Sequence, residues 1–112
     1  MTCRFLPPAV RDVREAARYY EEKVPGLGFE FIAEVRAALR RIVAHPPAWC
    51  PLDDEFRRCR TSRLPYGVIY TIEGKDVLVT SVMHLHRHPD TWRRNLRYRR
   101  QSHRIRIHPR QP

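Results

Sequence analysis

PAVRDVREAARYYEEKVPGLGFEFIAEVRAALRRIVAHP, residues 8–46, carries two apolar stripes separated by one break, and that pattern decides the fold. In the first half Val10, Val13, Ala17, Tyr20 and Val24 recur every three or four residues, with Arg11, Asp12, Arg14, Glu15, Arg18, Glu21 and Glu22 between them. That spacing lines up the apolar side chains on one side of an α-helix, and Pro8 suits the first helical turn. Pro25-Gly26-Leu27-Gly28 breaks the period, as a proline and two glycines should. A second stripe follows in Ile32, Val35, Leu39 and Ile42, flanked by Glu34, Arg36, Arg40 and Arg41, and it stops before Pro46-Pro47. Proline supplies no donor and disfavours helix in the residue before it. Two helices joined by so short a turn predict an antiparallel hairpin.

Working outward, Thr2–Leu6 is short, bulky and closed by Pro7-Pro8, so it reads as a strand. Residues 45–55, with Pro46, Pro47, Pro51 and the acidic Asp53-Asp54-Glu55, read as a loop. Beyond it Phe56–Leu64, Val68–Ile72 and Val77–His84 are rich in β-branched and aromatic residues. Pro65-Tyr66-Gly67 and Glu73-Gly74-Lys75-Asp76 supply the turns between them. The predicted fold class is α+β, in the order β-α-α-β-β-β. An antiparallel sheet is covered on one face by the helical hairpin, and a short helix or turn follows near Pro89–Asn95.

The formal charge of +10 over 112 residues is uneven. Residues 93–112 hold eight arginines and no acid, whereas residues 1–92 carry 14 basic and 12 acidic side chains. The division expected from this is a nearly balanced domain over 1–92 and an arginine-rich tail over 93–112, with attraction to a polyanion centred on the tail. Arg104-Ile105-Arg106-Ile107 alternates as an edge strand would, but is too short to assign one. Cys3, Cys50 and Cys59 are odd in number and lack C-x-x-C spacing, which points to reduced, mostly buried thiols rather than a disulfide framework or zinc site. No apolar run is long enough for a membrane span and no leader pattern opens the chain, so a cytoplasmic location is expected.

Several fragments together resemble the RelE/ParE toxin superfamily, and the ParE-like (plasmid stabilisation) group most. They are Tyr19-Tyr20, Pro25-Gly26-Leu27-Gly28-Phe29-Glu30-Phe31, His45-Pro46, Arg57-Arg58, Leu64-Pro65-Tyr66-Gly67-Val68-Ile69-Tyr70, His84-Leu85-His86-Arg87-His88-Pro89 and Trp92. They run in order from residue 19 to residue 92, and the resemblance is read over residues 4–92. The resemblance implies a growth-inhibiting toxin of a type II toxin–antitoxin system, held in a hetero-oligomer by a cognate antitoxin. It also implies one of two targets. ParE-like members block DNA gyrase, and RelE-like members cut messenger RNA on the ribosome.

Metal-free RNA cleavage needs a proton acceptor, a proton donor and cations on the phosphoryl oxygens. Arg58, Arg60, His84 and Arg87 are the residues that could serve a nuclease. Arg58, Arg60, Tyr66, Arg87, Trp92, Arg93 and Arg94 are the candidates for contact with a target or nucleic acid. RelE-like nucleases resemble one another in an arginine after the turn tyrosine and a tyrosine near the C-terminus; here those positions hold Gly67 and Trp92. An indole is neither general acid nor base. The departures favour a non-enzymatic gyrase inhibitor, with an endoribonuclease or an Arg-rich nucleic-acid-binding module as alternatives. His84, His86 and His88 would share a face if the strand continued, but no Asp, Glu or Cys completes a ligand set beside them. Neither metal nor cofactor is therefore expected. Trp92 could meet a target or anchor the segment that follows it.

Overall fold

The computed structural model describes residues 1–87, 90–101 and 103–106, the last four by backbone alone. Strand β1 (Thr2–Phe5) leads into helices α1 (Pro7–Lys23) and α2 (Leu27–Ala44). A 3-10 turn (Pro46–Ala48) and a two-residue strand β2 (Cys50–Pro51) come next, followed by β3 (Arg57–Arg60), β4 (Tyr66–Glu73) and β5 (Asp76–His84). A 3-10 segment, Thr91–Gln101, and strand β6 (His103–Arg106) complete the described chain.

The hairpin forms where the stripes predict it, and Gly28 explains how closely its helices approach. A Cβ built on Gly28 would lie 2.6 Å from the Ala17 carbonyl oxygen. The Glu21 carboxylate accepts the N–H groups of Gly26 (2.9 Å) and Gly28 (3.1 Å), tying the end of α1 to the start of α2. Phe31, Val35, Leu39 and Ile42 of α2 are buried against Cys3, Phe5, Cys59, Val68, Tyr70, Val77, Val79 and Val82 of the sheet. Val24, the last residue of the predicted first stripe, is exposed at the helix end. Trp49 closes the far end, its Nε1–H donating to the Arg41 carbonyl at 3.2 Å.

The sheet has six strands in the order β2-β3-β4-β5-β1-β6. The β3-β4-β5 meander is antiparallel, as the short turns require, but β1 pairs parallel to β5. The reason lies in the 45–55 loop, which contains β2 running antiparallel to β3. That extra reversal starts the meander in the direction of β1, so its third strand ends alongside β1 in the same sense. The predicted Phe56–Leu64 strand is shorter, Arg57–Arg60. Glu34 draws the rest into a turn by accepting the N–H groups of Arg63 (2.9 Å) and Leu64 (3.2 Å). Gly74 takes φ +60 at the first position of the two-residue β4–β5 connection, where glycine is favoured.

Thr80 is an extra residue between the pairs Tyr70↔Val79 and Ile69↔Ser81. Such a bulge resets which face the following side chains occupy. It lets Val77, Val79 and Val82 all face the helices while Met83 faces the other side, where Phe56, Ile69, Met83 and Trp92 form a second core. Of the three thiols, Cys3 and Cys59 are buried and Cys50 is exposed; all are free. Burial pushes the Cys3 thiol up to about 11.

Glu34→Ala is expected to leave the two loop N–H groups without their acceptor, costing about 2 kcal/mol and lowering the thermal midpoint by roughly 8–10 °C. Calorimetry on the variant checks this; a shift under a degree would mean water replaces the carboxylate without loss.

Candidate functional site

The site is built where β4 begins and β5 ends. Tyr66 opens β4 with its ring edge-on to Phe31 (4.9 Å between centroids) and to His84 (5.3 Å). The Leu85 N–H donates to the Pro65 carbonyl at 2.9 Å and the Arg87 N–H to the His84 carbonyl at 3.1 Å, fixing the turn after β5 against the turn before β4. The His84 Nδ1 accepts the His86 N–H at 3.1 Å, which orients the ring at the start of the turn. Burial raises the Tyr66 phenol above its ordinary value, with the Arg87 charge opposing, so Tyr66 holds its proton at neutral pH.

Arg87 is exposed at the tip of this turn. One cleft of about 230 Å³ runs beside it toward Asp12, Tyr19, Tyr66 and His84. Another, of about 200 Å³, opens toward Leu52, Arg58, His84 and Trp92. Arg58 lies across Gly67: a Cβ on Gly67 would fall 2.7 Å from the Arg58 Cδ. The Arg58 Nε is buried and makes no hydrogen bond to the described residues. Two guanidinium groups and an imidazole thus border two clefts that share His84 and Arg87, an arrangement able to bind phosphate or carboxylate oxygens.

Beside β1 the edge of β5 is closed by pairing; beyond the end of β1 it is closed by side chains. The Asp12 Oδ2 accepts the Val82 N–H at 3.1 Å, and Asn95 Nδ2 donates to the Thr80 carbonyl at 3.0 Å and to the Ser81 hydroxyl at 2.6 Å. Burial raises the Asp12 carboxyl above its ordinary value, against the Val82 hydrogen bond and the charges of Arg87 and Arg11.

Of the sequence candidates, Arg58, Tyr66, His84 and Arg87 come together. Arg60 is exposed away from them, its carbonyl accepting from the Arg41 guanidinium at 2.7 Å. Trp92 is 2 % exposed and packs on Phe56 with centroids 4.8 Å apart, so it anchors the C-terminal segment to the sheet. Arg93 is drawn into ion pairs with Asp53 (3.2 Å) and Asp90 (3.3 Å) and covers the Trp92 ring at 4.4 Å. Arg94 is exposed and lines a third cleft with Arg11, Asp12, Arg87 and Arg97. His88 lies outside the described residues. Among the described residues no group of three His, Cys, Asp or Glu side chains is placed to hold a metal ion, and no helix is long and apolar enough to cross a membrane. Asp12, Asn95 and Arg97 were not singled out in the sequence; only a three-residue period through the arginine-rich segment could have marked the last two.

A family model described as "ParE toxin of type II toxin-antitoxin system, parDE" matches residues 3–89. Among solved structures the chain is similar to one from the "Chromosomal ParDE TA system from P. aeruginosa". That match has a TM-score of 0.67 and 14% identity, covering 77% of this chain and 97% of the other. Comparison with curated proteins finds no match. The helical hairpin on a meander is thus a small α+β fold shared with that ParDE chain. The chain belongs to the ParE toxin family of type II toxin–antitoxin systems. The segment from residue 90 onward lies beyond the family match.

Residues 91–101 are strapped to the body by titratable groups. Burial works to raise Glu73, but hydrogen bonds from Arg99 and Arg4 outweigh it and hold the carboxyl below its ordinary 4.5. The Phe56 and Glu55 N–H groups, then Arg93, hold Asp53 below its ordinary 3.8. Groups lowered on folding stabilise the fold above their ordinary values and lose that contribution as the pH falls through the lower folded values. Asp12, being raised, acts in the opposite sense. Below pH 3.8 the strap should therefore loosen before the helix-side core. In a Trp49→Phe background, Trp92 emission should shift red on acidification before helical circular dichroism is lost; coincident transitions would contradict this.

Proposed function

We propose that the chain inhibits growth by binding DNA gyrase in the cytoplasm, without hydrolytic chemistry, and that a cognate antitoxin neutralises it in a hetero-oligomer. One observation carries the choice of target. Where a RelE-like nuclease would place an arginine and an ionisable tyrosine, this chain has Gly67 beneath the Arg58 stem and Trp92 sealed in a second core. An arginine at 67 would displace Arg58, and a buried indole offers no proton-transfer group. The P. aeruginosa structure, titled as a ParDE system, supports an antitoxin partner by analogy. Exposed Arg87 and half-buried Arg58, without carboxylate ion pairs among the described residues, are the charges best placed for the target, since arginine is enriched at protein interfaces.

The nuclease reading retains one observation in its favour: Arg58, His84 and Arg87 border a shared cleft. The two readings separate on one preparation. Purified chain should inhibit gyrase supercoiling, and Arg87→Ala should weaken that inhibition at least tenfold, while messages stay intact after induction. New message ends within minutes, abolished by His84→Ala, together with unaffected gyrase, would replace the gyrase reading by the nuclease.

A further inference from the structure

Residues 91–101 form a 3-10 segment. In that helix, with three residues per turn, side chains at i and i+3 eclipse, so the sequence TWRRNLRYRRQ sorts into three rows. Trp92, Asn95 and Tyr98 form the row toward the sheet: Trp92 is buried, Asn95 bonds the β5 edge and Tyr98 is half-buried. Arg93, Leu96 and Arg99 form the stapling row. Arg93 pairs with Asp53 and Asp90, Leu96 packs on the second core, and Arg99 pairs with Glu55 (2.9 Å) and Glu73. Arg94, Arg97 and Arg100 form the third row, exposed and with no carboxylate ion pair among the described residues.

The third row does not stand alone. Arg94 and Arg97 line one wall of a cleft of about 290 Å³ whose other lining includes Arg11 of α1 and Arg87 of the site turn. Four guanidinium groups therefore surround it, against the single carboxylate of Asp12, one oxygen of which is occupied by the Val82 N–H. Tyr98 lines the same cleft, with the Arg97 guanidinium 5.1 Å from its ring centroid.

We propose that this cleft binds the phosphodiester backbone of a nucleic acid. Three features favour a nucleic-acid strand over an acidic protein segment. The rungs of the Arg94-Arg97-Arg100 row repeat at about 6 Å, of the order of the spacing between successive phosphates, so a regular polyanion meets one guanidinium per phosphate. Guanidinium forks match phosphate oxygens bidentately. Tyr98 in the cleft wall carries the Arg97 guanidinium over its ring, an Arg–Tyr pair of the kind against which a base stacks. The four cationic residues thus divide between the family-matched body (Arg11, Arg87) and the segment beyond it (Arg94, Arg97). Binding here does not depend on gyrase being the protein target.

The test is the salt dependence of binding to a labelled short DNA duplex, followed by anisotropy, with a single-stranded RNA of equal length as a second arm. Three proteins are compared: the full chain, Arg94→Gln/Arg97→Gln, and Arg36→Gln/Arg40→Gln on α2, which removes the same charge elsewhere. Each phosphate contact adds about 0.9 to the slope of log K against log salt for duplex and about 0.7 for a single strand. The first pair should lose at least tenfold in affinity and flatten the slope by nearly two contacts, the control pair far less, with both thermal midpoints unchanged. Which arm binds tighter identifies the nucleic acid. Equal losses for the two pairs would reduce the effect to bulk charge and overturn the site. A loss of binding to polyglutamate with nucleic-acid binding intact would overturn it in favour of an acidic protein segment.

Discussion

Strand β5 is covered from both sides, its residues Val77 to Met83 buried in succession, and the rest of the molecule is arranged to keep it so. The helical hairpin covers one face through Phe31, Val35, Leu39 and Ile42. The 91–101 segment covers the other through Trp92 and Leu96, on Phe56, Ile69 and Met83. A strand buried on both faces cannot leave backbone groups unsatisfied at an open edge. Where β1 ends, Asp12 from one layer and Asn95 from the other complete the edge.

The candidate site follows from where that double burial stops. At His84 both layers end, and the chain emerges as a turn carrying Arg87 at the meeting point of three clefts. Rigid elements therefore position the exposed charge: Pro65 and His84 hold the turn through backbone hydrogen bonds, and Arg58 reaches the same region only because Gly67 has no side chain to block it. The bulge at Thr80 contributes too, since it turns Met83 toward the second core.

The hairpin was legible in the sequence because its contacts repeat at a period that one helix face reveals by itself, as Val35, Leu39 and Ile42 do. The meander was legible from its turns. The direction of β1 was not, because it depends on one reversal made by Cys50-Pro51, two residues with no strand signature. Nor was the second core, whose members Phe56, Ile69, Met83 and Trp92 are scattered along the chain and meet only when the C-terminal segment crosses the sheet. Among the candidate site residues, Arg58, Tyr66, His84 and Arg87 could be named from strand ends and turns. Arg93 and Arg94 looked equivalent in a run of like charges, yet the three-residue period sends one to staples on Asp53 and Asp90 and the other to a cleft.

Through Trp92 and Leu96 the 91–101 segment packs as part of the body. Native-state hydrogen exchange on Trp92→Ala addresses this packing most directly. Emptying a buried indole site costs about 3–5 kcal/mol, so amides of β4 and β5 around Ile69 and Met83 should lose two or more orders of magnitude in protection. Unchanged protection in both strands, with faster exchange confined to 91–101, would show that the segment merely rests on the sheet and would contradict the account.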